Sequence, residues 1–282
     1  FDLGQARYGC SHWIYRICRC LNCNALDLER REEMPRYKAT ISYDGTEFYG
    51  WQVQPGKRTV QLEMEKVVNK MAKDPTEHIR VQGSGRTDAR VHAKGQVVHF
   101  DLPFDIPNEA VRKGLSTMLP YDIGIKSVEK VDESFHAQFS AHNKTYLYRL
   151  STTEFIDPFK RNYTGHWHRR IDTSLMQQAI GDYVGEHDWL SFVASGFQQK
   201  TTVRTVYSAK MWEKPEEDEI WFEFSGNGFL YNQIRIMVGV LLEIGNGSRP
   251  VDDIQRLFAV KDRQQARFTA PAQGLYLMSV DY

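Results

Sequence analysis

After Cys23 this 282-residue chain has no cysteine; the four it carries are Cys10, Cys18, Cys20 and Cys23. A body without cysteine excludes a disulfide framework and thiol catalysis, and it suits the reducing cytosol. No apolar run is long enough to cross a bilayer. Net charge is also missing, with 36 Lys and Arg against 36 Asp and Glu. Nucleic-acid-binding domains are usually basic, so an anionic partner would have to be held by local clusters. Lys57 with Arg58, Arg86 with Arg90 and Lys94, and the stretch Lys160 to Arg170 are such clusters, and each can equally be a solvated charged face. No His pair with a nearby carboxylate has the spacing of a metal site. Cys20-x-x-Cys23 with Cys10 and His12 allows a zinc reading, but a second Cys-x-x-Cys pair is lacking and no metal is expected.

What is present is a soluble globular composition, 41% hydrophobic and 12% aromatic. Arg36 to Asp44 alternates apolar and polar side chains, which predicts a half-buried strand. Asp44-Gly45-Thr46 ends it in a turn. Thr59 to Lys70 carries apolar residues at helical spacing. Strands are expected at Ile79–Gln82, Gln96–Leu102 and Tyr121–Val131, with a helix over Asn108–Leu119 behind Pro107. The second half repeats this order without residue identity. It has strands at Thr145–Leu150, Thr202–Trp212, Glu219–Gly226 and Gly274–Val280, and helices at Thr173–Val184 and Phe229–Ile244. Glu213 to Glu219 reads as an exposed hairpin loop. The pattern implies an α+β chain of two subdomains, each a sheet covered by helices on one side.

Three places could carry chemistry. Gly83 to Phe100, GSGRTDARVHAKGQVVHF, sets Asp88 in a turn among Arg86, Arg90, His92 and Lys94. Cations around a loop carboxylate favour its ionised form, which suits a nucleophile or base, and they also suit an anionic substrate. The alternative is an Asp that closes a turn and pairs with Arg86. Tyr146 and Tyr148 share one face of a strand, where aromatic rings usually belong to the core. In the helix over Phe229–Ile244, Arg235 and Glu243 are the only charges. Such an Arg either reaches solvent along its stem or is buried against a carboxylate.

Five segments in order are more specific than any one of them. They are RYKATISYDGTEFYGWQVQPGKRTVQ, GSGRTDARVHAKGQVVHF, FHAQFSAHNKTYLYRL, FLYNQIRIMVGVLLEIG and APAQGLYLMSVDY. Together they resemble the TruA family of tRNA pseudouridine synthases, from about Met34 to the last residue. The resemblance implies two ferredoxin-like α/β-sandwich subdomains, with antiparallel sheets joined around a central RNA-binding cleft. It implies a catalytic N-terminal subdomain over residues 34–142 and a C-terminal one over 143–282. Residues 1–33 lie outside it and read as an unrelated or misassigned leader, expected to lack order. Arg16 and Arg19 interrupt the apolar stretch there and no clear small-residue cleavage site follows, so it does not read as a signal peptide.

The implied activity is conversion of uridine to pseudouridine at positions 38–40 of the tRNA anticodon stem-loop, in the cytoplasm, by a homodimer, with no cofactor and no metal. By resemblance Asp88 is the nucleophile, Arg235 pairs with it, and Tyr146 stacks on the target base. Arg86 contacts phosphate or fills the gap of the flipped nucleotide, and Arg90, His92 and Lys144 are further substrate contacts. Two departures stand out. Gln138 replaces the usual Arg of the family word FHARF, and Arg90 replaces the glycine of GRTDAGVHA. Glycine there implies a tight turn or close backbone approach. Arg90 therefore implies a relaxed turn or a distorted loop, and an impaired tRNA-binding homologue is the alternative. A glycosidase-like hydrolase would need a second carboxylate beside Asp88, and a purely structural domain would show no salt-dependent RNA binding.

Overall fold

The computed structural model describes residues 34–73, 78–194, 196 and 200–282. The proposed leader and its four cysteines lie outside the described residues. Ten strands form one sheet. They are β1 (Arg36–Tyr43), β2 (Gln82–Gly83), β3 (His92–Asp101), β4 (Ile123–Val131), β5 (Asn143–Ser151), β6 (Gly165–His166), β7 (Gly185–Asp188), β8 (Val203–Lys214), β9 (Glu219–Gly226) and β10 (Leu275–Asp281). The main order is β4-β1-β3-β10-β5-β9-β8-β7, with β2 on β3 and β6 on β5. The last strand thus sits mid-sheet. It runs parallel to β3 through Tyr276↔His92 and antiparallel to β5 through Leu277↔Tyr146. Among the described residues five α-helices accompany the sheet: α1 (Val60–Met71), α2 (Asn108–Met118), α3 (Thr173–Ala179), α4 (Gln233–Gly245) and α5 (Asp253–Val260). No helix among these residues is long and apolar enough to cross a membrane.

Local sequence accounts for most of these elements. In β1, Tyr37, Ala39, Ile41 and Tyr43 are buried and the intervening residues are not. Each large side chain so buried contributes about 1.5–3 kcal/mol. Thr59 caps α1 by accepting the Leu62 N–H at 3.4 Å. Lys214–Glu219 is the expected hairpin turn, with Asp218 in the left-handed region. Some expectations shift. The helix expected from Thr173 ends at Ala179 and tightens into a 3-10 turn over Ile180–Tyr183. The helix expected from Phe229 begins only at Gln233, because Asn232 has φ 60. α4 is buried on nearly every side: only Arg235 and Glu243 of its 13 residues are not.

Two glycines bring the turn after β1 against the loop that carries Asp88. A side chain at Gly45 would meet the Val91 carbonyl oxygen at 2.1 Å. Gly50 has φ +88, and a Cβ there would lie 2.7 Å from the Thr87 oxygen. Gly50→Ala should therefore cost about 1–2 kcal/mol in left-handed strain alone, with steric displacement of the Asp88 loop added. Thermal unfolding should show a midpoint lower by several degrees; an unchanged midpoint would contradict the close approach.

Candidate active site

Residues 84–91 form a loop held from several directions. Trp51 N–H donates to the Thr87 carbonyl at 3.0 Å, and Arg90 N–H to the Phe48 carbonyl at 3.2 Å. The Ser84 hydroxyl donates to Gln96 Oε1 at 2.6 Å, and Gln96 Nε2 returns a bond to the Gly85 carbonyl at 2.9 Å. Thr87 is buried with its hydroxyl 2.8 Å from that of Tyr43. Fixing Thr87 inward leaves its neighbour Asp88 free to face the second half of the chain.

There it meets Arg235. Arg235 Nη1 lies 3.2 Å from Asp88 Oδ2, and the two side chains are 17% and 21% exposed. The guanidinium is held at two more points: Nη1 donates to Asn232 Oδ1 at 2.6 Å and Nε to the Ala270 carbonyl at 2.8 Å. Of the two readings open for an Arg in an apolar helix, the paired one holds. Burial pushes the Asp88 carboxyl above its usual value, and Arg235 offsets only part of that shift. The cations around Asp88 thus do less to favour its ionised form than the sequence implies, since Arg235 alone counters burial.

The other expected residues are distributed unequally. Tyr146 is 7% exposed, edge-on to Phe229 with ring centroids 5.3 Å apart. Its phenol is pushed far up by burial, with Tyr43 and Asp88 adding to the shift, so it holds its proton at neutral pH. Tyr148 is wholly buried and donates to the Pro271 carbonyl, as a core residue. Arg86 is exposed and has no ion-pair or hydrogen-bond partner among the described residues, so it does not pair with Asp88. Lys144 Nζ donates to the Ser84 carbonyl at 2.6 Å, and burial lowers its ammonium to about 8. Arg90 keeps φ 68. The loop has therefore not relaxed around the missing glycine, and the exposed Arg90 guanidinium donates to Asn162 Oδ1 at 3.2 Å. His92 is held inside the protein. It is 2% exposed, its Nδ1 accepts the Gly45 N–H at 3.0 Å and its Nε2 is 2.9 Å from the Asn162 carbonyl. Its Nδ1 also lies 3.2 Å from Asp44 Oδ1, so the ring joins loops within the protein.

In two of the expected basic clusters one cation is taken up by the fold. Arg58 makes a two-pronged pair with Asp122, and Lys160 pairs with Glu217 and Glu219. Among the described residues no group of three His, Cys, Asp or Glu side chains could hold a metal. Sequence reasoning missed Asn232 and Arg204. The first is visible only as an Asn three positions before an Arg; the second lies in a strand whose alternation shows nothing unusual.

Comparison with known proteins adds a second line. The sequence model of the family described as tRNA pseudouridine synthase matches residues 39–140 and 179–282. A tRNA pseudouridine synthase A of Leuconostoc citreum is 63% identical over 254 residues, covering 88% of this chain and 98% of the relative. One from Leuconostoc mesenteroides is 59% identical, covering 88% of this chain and 100% of the relative. Among solved structures, the crystal structure of an archaeal box H/ACA sRNP Nop10-Cbf5 complex overlaps with a TM-score of 0.32 at 13% identity, over 73% of this chain and 53% of that one. That overlap is too slight to define a shared topology.

The upward shift of Asp88 fixes the sign of its effect on stability. The folded chain holds the Asp88 proton more tightly than the unfolded chain does. Stability therefore falls as pH rises from the usual Asp range through the folded value, and the ionised carboxylate is a net cost at neutral pH. Asp88→Asn should melt at the same temperature as the unaltered chain, or higher, at pH 7, with the difference shrinking in acid. A lower midpoint at pH 7 would show that the pair with Arg235 stabilises the fold.

Proposed function

This chain belongs to the tRNA pseudouridine synthase family, and we infer that it converts uridine to pseudouridine in tRNA with Asp88 as nucleophile. The reaction breaks the bond between uracil N1 and ribose C1′ and forms one between C5 and C1′. N1 gains a proton and C5 loses one, so atoms and electrons balance without a redox partner. The observation that carries the reading is the carboxylate of Asp88, held by a clamped Arg235 beside the neutral, ring-packed Tyr146. An ionised carboxylate can form or stabilise a covalent intermediate at the base or the sugar.

In this reading Arg235 orients Asp88 and keeps its anion from being neutralised by burial. Tyr146 stacks on the extruded uracil, a contact worth about 1–3 kcal/mol per base. Extrusion itself costs a few kcal/mol. Arg86, exposed and unpaired among the described residues, contacts phosphate or fills the gap, and Arg90 adds charge at the rim. The finer reading includes two ferredoxin-like halves, 34–142 and 143–282, meeting at β10. It places the target at positions 38–40 of the anticodon stem-loop in the cytoplasm. It also includes a homodimer that shares one tRNA, carried over from the family resemblance.

Tritium release from tRNA labelled at uracil C5 tests the reading. The unaltered chain should release tritium, Asp88→Asn should lose release by several orders of magnitude, and Arg90→Gly should stay within a few-fold of the unaltered chain. Release only from Arg90→Gly would mark this chain as an impaired homologue. Silence in all three would remove the assignment.

A further inference from the structure

We propose that Lys144 and Arg204 form a phosphate-binding subsite beside Tyr146, which takes one backbone phosphate of the RNA next to the target nucleotide. The proposal rests on the tRNA reading above and names a site within it.

The sheet register brings the two cations together. Lys144 of β5 lies opposite Gly226 of β9, and Gly226 lies opposite Val206 of β8. Directly opposed residues share a face of a sheet, as do residues two apart on one strand. Lys144, Tyr146, Gly226, Val206 and Arg204 therefore line one face. Gly226 lets the chain close up in the middle of this row: a Cβ there would meet the Thr205 carbonyl oxygen at 2.6 Å and the Phe229 ring at 3.4 Å. That ring is the one packed edge-on against Tyr146. Glycines flank the cations as well. Lys144 Nζ lies 3.5 Å from where a Gly85 Cβ would stand, and Arg204 Nε 3.8 Å from the corresponding point at Gly228.

Neither cation has a carboxylate partner among the described residues. Lys144 donates only to the Ser84 carbonyl, and Arg204 only to the carbonyls of Thr201 and Val203. Burial disfavours the charged form of both, and the Arg204 charge adds to the effect on Lys144. Two like charges drawn out of water without an anion are a standing cost to the fold. Half-buried Arg149 and buried Arg249, by contrast, are paired with acids. An anion supplied from outside removes the cost, and a phosphodiester accepts from ammonium and guanidinium together.

The test compares the full chain with Lys144→Gln, Arg204→Gln, the double variant and the charge-keeping Arg204→Lys. Binding of unmodified tRNA is followed by fluorescence anisotropy over a range of salt concentrations. If the pair neutralises one phosphate, the double variant should lower the slope of log Kd against log salt by about 0.7–0.9, and Arg204→Lys should keep the slope. Removing unpaired charges should leave the melting temperature unchanged or raised. A double variant with an unchanged slope, or with a change no larger than that of Lys126→Gln on the distant exposed strand β4, overturns the subsite. So does a lowered melting temperature with an unchanged slope, which assigns the two cations a structural role. Tritium release by the unaltered chain, measured in parallel, separates the two levels. Release with an unchanged slope removes the subsite alone, and no salt-dependent binding of tRNA by the unaltered chain removes the tRNA reading beneath it.

Discussion

The structure turns on one ion pair, Asp88 with Arg235, whose partners are 147 residues apart in sequence. One sits on a loop of the first half and the other in the first turn of a helix that is otherwise almost wholly buried. A half-buried pair of this kind is weak evidence for stability, because desolvation can exceed the attraction between the charges. The upward shift of the Asp88 carboxyl says that desolvation wins here. What the pair supplies is position. Arg235 is fixed by Asn232 and by the Ala270 carbonyl as well as by Asp88, so its guanidinium has little freedom to leave. Asn232 reaches it from a left-handed backbone, a conformation in which Asn is several-fold enriched over most residues.

The Asp88 loop is over-determined in the same way. Backbone bonds from Trp51 and to Phe48, the Thr87–Tyr43 hydroxyl contact and the Gln96 amide all act on six consecutive residues. This explains how Arg90 stands where a glycine is usual. A left-handed non-glycine residue costs roughly 1–2 kcal/mol, and the loop has too many anchors to move for that amount. The strain is retained at φ 68, and the side chain gains a bond to Asn162. Neither a relaxed turn nor a distorted loop results. The substitution adds a cation at the rim, in a left-handed backbone conformation that a glycine would adopt at less cost.

How much could be read from sequence depended on whether a contact leaves a pattern. β1 showed its alternation and α1 its apolar stripe, because periodicity records burial. Arg235 was conspicuous because a charge in an apolar helix must find a partner. Asn232 was not, because left-handed backbone and a side-chain bond three residues along have no periodic trace, and for the same reason α4 begins four residues later than its apolar run. His92 reads as one of several basic residues near Asp88; its ring meets backbone atoms of Gly45 and Asn162 and the Asp44 carboxylate, contacts that leave no pattern in sequence. The central place of β10 was equally hidden, since it comes from pairing the last strand with strands roughly 130 to 190 residues earlier.

A chain with equal numbers of acidic and basic side chains can bind a polyanion only if the fold sorts its cations. It does so here. Arg36, Arg58, Arg149, Lys160 and Arg249 are tied to carboxylates and serve the frame. Arg86, Lys144 and Arg204 have no carboxylate partner among the described residues, and all three belong to elements that meet near Asp88 and Tyr146. Paired cations contribute little field beyond a Debye length of about 8–10 Å, whereas unpaired ones in a partly desolvated setting act strongly on an approaching phosphate. Neutrality of the whole is therefore compatible with a strongly positive site. The composition argues against non-specific attraction to nucleic acid and in favour of a partner recognised at one place.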